Sequence, residues 1–349
     1  MTTVLVTGNE GYIGSVLVPM LKEQGFYTIG LDVGYYDNAC LLGEPLAPPD
    51  AQIHKDIRDV TESDLKKVDA IIHLAGLSND PLGEFNKELT QEINYEATMK
   101  LARHAKKAGV KRFVYASSQS MYGISSGGDV TEDSPVHPLT MYAKTKWESE
   151  CGLKKLADDH FTVVCFRPST VFGASPKLRC DIVYNNFLAC AYTTKRIEIK
   201  SDGTPWRPVV HVKDVSKAFI AGLHAPRHIV NKQSYNVGIP NGNFQVRDLA
   251  KAAQKVVPDC EVIFTNEHGP DSRTYKVSFD KILTELKDYY HPEWDLVSGG
   301  KELISFFDRV GFTEEDFRGR RCIRLQQLKW LVSQGKIDDQ LCRESLRNI

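Results

Sequence analysis

Short apolar runs rich in β-branched residues alternate with longer stretches of helical periodicity through the first half of the chain. "TVLV" (3–6), "FYTIGLD" (26–32), "DAIIHLAG" (69–76), "KRFVYASS" (111–118) and "FTVVCFRP" (161–168) predict strands. Amphipathic stretches separate them, one running to about Gln24 and two longer ones over 84–108 and 140–158. The strand runs are continuously apolar rather than alternating, as expected of strands covered on both faces in a parallel sheet. The pattern predicts an α/β fold with a Rossmann-type doubly wound parallel sheet.

After about Ser169 the rhythm changes. A helix is expected over 181–195, then "SDGTPWRPVVHVKDV" (201–215) reads as a loop returning to a strand and helix, and "SYNVG" (234–238) as a short strand. From 245 to about 312 the signals are shorter and irregular, as in a smaller mixed α/β substrate-facing lobe. "FRGRRCIRLQQLKWLVSQGKI" (317–337) predicts one basic amphipathic helix, with Leu325, Leu328 and Leu331 packed and the basic residues on a solvated face, the alternative being an anion site. The expected organisation is a dinucleotide-binding domain from 1–173 with about 205–245, a substrate lobe from about 174–204 and 246–312, and a helical extension over 313–349.

Composition narrows the function classes. The 349 residues are 42% hydrophobic and 26% charged, ordinary for a soluble enzyme, and the net charge of −1 provides no global field for nucleic acid or anionic membrane. Anion binding must be local. The eight cysteines are scattered without Cys-x-x-Cys, and the histidines form no His-Glu-x-x-His, so reduced thiols and no metal site are expected. The N-terminus enters an apolar strand at once and lacks a signal-peptide pattern. No apolar run approaches the ~20 residues that span a bilayer. A cytoplasmic protein is expected.

"TGNEGYIG" (7–14) places Gly8, Gly11 and Gly14 between a strand and a helix, with Tyr12 and Ile13 inside the loop. Glycines there relieve the turn, let backbone approach a pyrophosphate and allow close helix–strand packing, while the helix N-terminus attracts the phosphates. Asp32 ends the next strand, where a carboxylate accepts the adenosine ribose hydroxyls and repels a 2′-phosphate. With no Arg in 32–39, NAD is the expected cofactor. "KDIRD" (55–59) offers Asp56 and Ile57 to the adenine.

Tyr142 and Lys146 lie four apart, on one helical face roughly 6 Å from each other. Alone, the pair reads as an ordinary solvated helix that carries a tyrosine. Together with the glycine loop, Asp32, "HLAG" (73–76), Asn94 and "ASSQSMYG" (116–123), in that order, it resembles the extended short-chain dehydrogenase/reductase family, in particular its nucleotide-sugar epimerases, dehydratases and reductases, over roughly residues 1–282. The resemblance implies Ser118, Tyr142 and Lys146 as the catalytic set. It adds Leu74, Ala75, Gly76, Asn94 and Pro168, with Tyr142 and Lys146, to the cofactor site, and implies a homodimer through helices near 84–108 and 140–158. The residue types suit the chemistry. Ionising a tyrosine of pKa near 10 at neutral pH costs about 4 kcal/mol. An ammonium ~4 Å away at an effective dielectric of ~20 contributes about as much.

Two departures discriminate within the resemblance. Dehydratases of this kind carry Asp-Glu after the catalytic Ser/Thr, whereas Gln119 and Ser120 stand here, which argues against 4,6-elimination. Thr170 occupies a position where many relatives place a substrate-binding Asn. Arg207, in "DGTPWRPVVHVKDV" (202–215), and Arg273 are implied as ligands of a substrate diphosphate, with Arg179 a third candidate; guanidinium forks match phosphate oxygens. Ser78 and Asn79 follow the strand where a sugar would approach, and His211 and Asp214 are expected to cap or pack. The expected activity is NAD-dependent epimerisation of a nucleotide-diphosphate sugar through a transient ketone. The alternatives are a ketoreductase or dehydrogenase with exchangeable NAD(P)(H) and a non-catalytic NAD-binding module.

Overall fold

The computed structural model describes residues 1–41, 47–123, 128–265 and 274–343, so Arg273 lies outside the described residues. Seven strands form the central sheet: β1 (Thr3–Thr7), β2 (Tyr27–Asp32), β3 (Ala51–His54), β4 (Ala70–His73), β5 (Arg112–Ala116), β6 (Thr162–Pro168) and β7 (Gln233–Val237). All pair in parallel in the order β7-β6-β5-β4-β1-β2-β3, as the continuous apolar runs require. Thr7 on β1 stands opposite Leu31 on one side and His73 on the other. The chain reverses direction across the sheet at β1 and β4, and the crevice beyond their carboxyl ends is where such sheets bind ligands.

Helices cover both faces. On one, α1 (Gly14–Glu23) buries Leu17, Val18 and Leu21 in the apolar layer that also holds Phe166 and Phe219. On the other, Leu101, Ala105 and Leu153 pack over Phe113 and Tyr115. The stretch 84–108 is not one helix. It divides into α2 (Asp80–Phe85), α3 (Lys87–Gln91), a π turn (Glu92–Glu96) and α4 (Ala97–Lys107). The break falls at Asn86, whose extended backbone ends α2 while its side chain accepts from the Leu89 N–H and caps α3. Helix α5 (Met141–Leu156) begins on Thr140, whose Oγ1 accepts from the Ala143 N–H.

A second group of elements stands over the carboxyl edge of the sheet. Strands Thr170–Phe172, Trp206–His211 and Asn243–Gln245 pair there, and helices Val183–Thr193, Val246–Val256 and Leu296–Val310 enclose a core with Phe172, Tyr184, Leu188 and Phe307. His211 accepts from the Lys213 N–H, and Asp214 accepts from the Glu293 and Trp294 N–H groups, the structural roles expected of them.

The C-terminal stretch departs from the single helix expected over 317–337. Helix Glu314–Arg318 stops at Gly319, which is extended, and a new helix runs over Arg324–Ser333. Its basic side is not wholly solvated: Arg324 and Gln327 are buried. Leu328 and Leu331 join the core layer containing Tyr35. Gln327 donates to the Tyr35 carbonyl, and the Tyr35 hydroxyl donates to Leu341 O, so this segment is fastened to the loop after β2. Among the described residues no helix is long and apolar enough to cross a membrane, no group of His, Cys, Asp or Glu could hold a metal, and the cysteines are free.

Candidate active site

A cavity of about 700 Å³ opens at the carboxyl edge of the sheet and is lined by Gly8, Gly11, Tyr12, Ile13 and Gly14 at one end and by Ser118, Tyr142 and Lys146 further along. Gly8 and Gly14 are sterically required. Gly8 has φ +73, and a Cβ there would come within 2.8 Å of the Ala75 nitrogen. A Cβ on Gly14 would stand 2.3 Å from the Gly8 carbonyl oxygen. The loop thus presents bare backbone and the first turn of α1 to the cavity, as a diphosphate needs. Tyr12 keeps its ring against the lobe, its hydroxyl donating to Gly173 O.

Asp32 ends β2 with Oδ2 accepting from the Glu10 N–H at 3.0 Å and Oδ1 from the Gly34 N–H at 2.9 Å. Burial raises its carboxyl above the ordinary range against those two hydrogen bonds. Glu10, which sequence reasoning missed, lies beside it. Burial first, then the charges of Asp32 and Asp37, push Glu10 up to about 7, and its Oε2 is buried with no partner among the described residues. Carboxylates at this place accept ribose hydroxyls and disfavour an added phosphate, so the residues fit NAD. Its sequence signal was an acid inside the glycine loop. Leu74, Ala75, Gly76, Asp56, Ile57 and Pro168 also line the cavity. The Asp56 carboxylate is, however, gripped by Arg58 through contacts of 3.0 and 2.8 Å, leaving it a structural anchor as much as an adenine ligand.

Asn94 packs at the turn after β4, directly beneath Gly76. It does not line the cavity; it is buried behind it, accepting from the Leu77 N–H at 2.8 Å and donating to Leu77 O at 3.1 Å. Its side chain braces the turn after β4 from the π turn.

The Ser118–Tyr142–Lys146 set is assembled from the end of β5 and the first two turns of α5. Lys146 donates to the Ala116 carbonyl at 2.7 Å, and its Nζ lies 5.9 Å from the Tyr142 ring centroid. Burial pushes the Tyr142 phenol up, a hydrogen bond with Ser118 being the main opposing influence, while burial lowers Lys146 to about 8.

On the substrate-facing side, Gln119 donates to Arg167 O at 3.0 Å and to Val237 O at 3.4 Å. Its Oε1 and the Ser120 Oγ are buried without partners among the described residues. Ser78, Asn79, Thr170, Arg179 and Arg207 line the same cavity. Arg179 grips Asp181 through its Nε at 2.9 Å and Nη2 at 3.2 Å and reaches the Ser78 hydroxyl at 3.3 Å; Asn79 donates to Asp181 at 2.9 Å. Arg207 donates to Trp206 O at 2.8 Å. Arg324, from the C-terminal helix, also lines this cavity, which favours the anion-site alternative over a wholly solvated basic face.

Beneath the set lies a buried network. Glu150 accepts from Ser117, Ser234 and Arg167, and Arg167 reaches the Tyr122 hydroxyl at 2.6 Å. Its signal was Glu150 continuing the four-residue spacing of Tyr142 and Lys146 along α5.

The strand order, the glycine loop and a Ser–Tyr–Lys set in one cavity define a dinucleotide-dependent enzyme of the oxidoreductase type. Residues 4–238 match the NAD dependent epimerase/dehydratase family, and the chain belongs to that family. It is 27% identical to the UDP-glucose 4-epimerase of Bacillus subtilis (strain 168) over 295 residues, covering 72% of this chain and 81% of that one. It is 30% identical to UDP-glucose 4-epimerase 4 of Oryza sativa subsp. japonica (73% and 76% covered) and 29% to the dTDP-D-glucose 4,6-dehydratase of Mus musculus (73% of each). Among solved structures, MoeE5 in complex with UDP-glucuronic acid and NAD superposes with a TM-score of 0.74 at 25% identity, covering 88% of this chain and 99% of that one.

Proposed function

We propose that the chain is an NAD-dependent nucleotide-sugar epimerase that takes a uridine-diphosphate sugar and inverts a ring carbon through a transient ketone. Residues 1–173 with about 205–245 form its dinucleotide-binding domain, and about 174–204 with 246–312 its nucleotide-sugar lobe. Bound NAD supplies a hydride acceptor and donor. Gly8, Gly11, Gly14 and Asp32 would hold it, with Leu74 to Gly76 and Pro168 along its length. Tyr142 accepts the proton of the sugar hydroxyl, Ser118 hydrogen-bonds the same oxygen, and Lys146, cationic below about 8, favours the phenolate. Arg207 and Arg273 take the sugar diphosphate.

One observation carries epimerisation over elimination: in the described cavity wall Gln119 and Ser120, not an acid pair, follow Ser118. Gln119 and Ser120 stand there with unsatisfied oxygens suited to sugar hydroxyls. The Asp56 and Asp181 carboxylates on the cavity wall are gripped by Arg58 and Arg179. A purified sample incubated with UDP-glucose and no added NAD should yield the C4 epimer by NMR with no net NADH formed. Stoichiometric NADH formation or consumption would instead select the dehydrogenase or reductase.

The same reading includes a cytoplasmic homodimer through α4 and α5. These helices already touch, since a Cβ on Gly152 would meet the Met99 sulfur at 2.7 Å. Light scattering in solution tests the dimer.

A further inference from the structure

Arg324 forms no ion pair among the described residues, although the Asp181 charge acts on it through space. Its side chain is 1% exposed, Nη2 donates to Lys177 O at 2.6 Å, and Cζ lies 4.0 Å from the Tyr36 ring centroid. Nη1 is buried with no partner among the described residues, on a side chain that lines the cavity. The nearest carboxylate on that wall, Asp181, is already held in a fork by Arg179. Burial, with the Arg179 charge adding to it, pushes the Arg324 guanidinium below its ordinary value. An unpaired buried N–H on a charged group is costly, and an oxyanion would relieve it.

Position identifies which oxyanion. Tyr36 follows β2 and lies within electrostatic reach of Asp32, on the adenosine side. Arg179 reaches Ser78 and influences Tyr142, on the catalytic side. Arg324 neighbours both Tyr36 and Arg179. A dinucleotide with its ribose at Asp32 and its reactive ring at Tyr142 carries its diphosphate between them. The diphosphate of a nucleotide sugar is the other source of the same chemistry, and its expected anchor is Arg207, on the strand Trp206–His211.

We propose that Arg324 binds a diphosphate oxygen of NAD, so that the C-terminal segment completes the cofactor site and retains the dinucleotide between turnovers. This rests on the reading that the cavity holds both a dinucleotide and a nucleotide sugar. Retention suits an enzyme that returns its hydride to the same substrate.

The test is calorimetric titration of protein stripped of dinucleotide. Arg324→Met should bind NAD and ADP-ribose about ten- to a hundred-fold more weakly than the parent, with UDP affinity unchanged. The parent's NAD affinity should also fall more steeply with salt. Parent-like NAD affinity in the variant overturns the proposal. So does a loss confined to UDP, which would give the guanidinium to the sugar nucleotide, or an equal loss for both, which would make its role structural. Should Arg324→Met not fold, Arg324→Lys is titrated the same way and must weaken NAD selectively. The parent's epimerisation is a separate assay, and its failure would leave the NAD titrations standing.

Discussion

Glu150 and Arg167 form a forked ion pair, Nη2 to Oε1 at 2.6 Å and Nε to Oε2 at 3.1 Å, with no solvent exposure on the carboxylate. The pair joins α5, which carries Tyr142 and Lys146, to β6, which ends at Pro168 on the cavity wall. Glu150→Gln leaves a buried guanidinium without its counter-charge and should cost about 3–5 kcal/mol in denaturant unfolding.

The same carboxylate sets an acid limit. Burial raises Glu150, but Arg167, then Lys154 and Ser234, overcome it and hold it at about 2, against 4.5 for a free glutamate. The folded form therefore binds its proton less readily than the unfolded form. The stabilisation is complete above 4.5 and is lost as pH falls from there towards 2. Thermal melts of the parent should steepen their decline over that window, and Glu150→Gln should decline less steeply.

Tyr142→Phe removes the proposed base without touching the glycine loop. Turnover should drop about 10²–10⁴-fold while NAD still binds. Quench-flow or end-point NMR measures the first, titration the second. Unchanged turnover would sink the assignment.

Gly83 on α2 stands against the start of α5: a Cβ there would lie 2.9 Å from Tyr142 Cβ and 3.0 Å from its nitrogen. Both nearest atoms are backbone or anchored to it, so the helix must shift. Gly83→Ala should cost about 1–3 kcal/mol and depress turnover more than NAD affinity.

Lys146 gives an alkaline limit. Burial lowers it to about 8, so the charge that favours a Tyr142 phenolate is present below that pH and lost above it. The pH profile of turnover should fall as pH rises through about 8, and Lys146→Met should remove that limb along with most activity.

The sheet was legible because buried parallel strands leave long apolar runs that nothing else in the chain imitates. Ala51–His54 was not, since this edge strand is only partly covered and reads "AQIH". The glycine loop and the Tyr–Lys spacing were legible because their chemistry is local in sequence. Asn94 was read from motif order, which does not reveal that its side chain also braces the turn after β4. Arg324 was hidden for a different reason. A basic residue on an amphipathic helix is normally solvated, and only the break at Gly319 turns this one inward.

The fastening of residues 324–343 onto the loop after β2 has a bearing on biosynthesis. Gln327 holds Tyr35, the Tyr35 hydroxyl holds Leu341, and Arg343 reaches the Gly34 carbonyl. Those contacts span about three hundred residues, so the glycine loop emerges from the ribosome long before the segment that fastens beside it. A nascent chain halted before Arg324 would carry every signature motif and still lack this wall of the cavity.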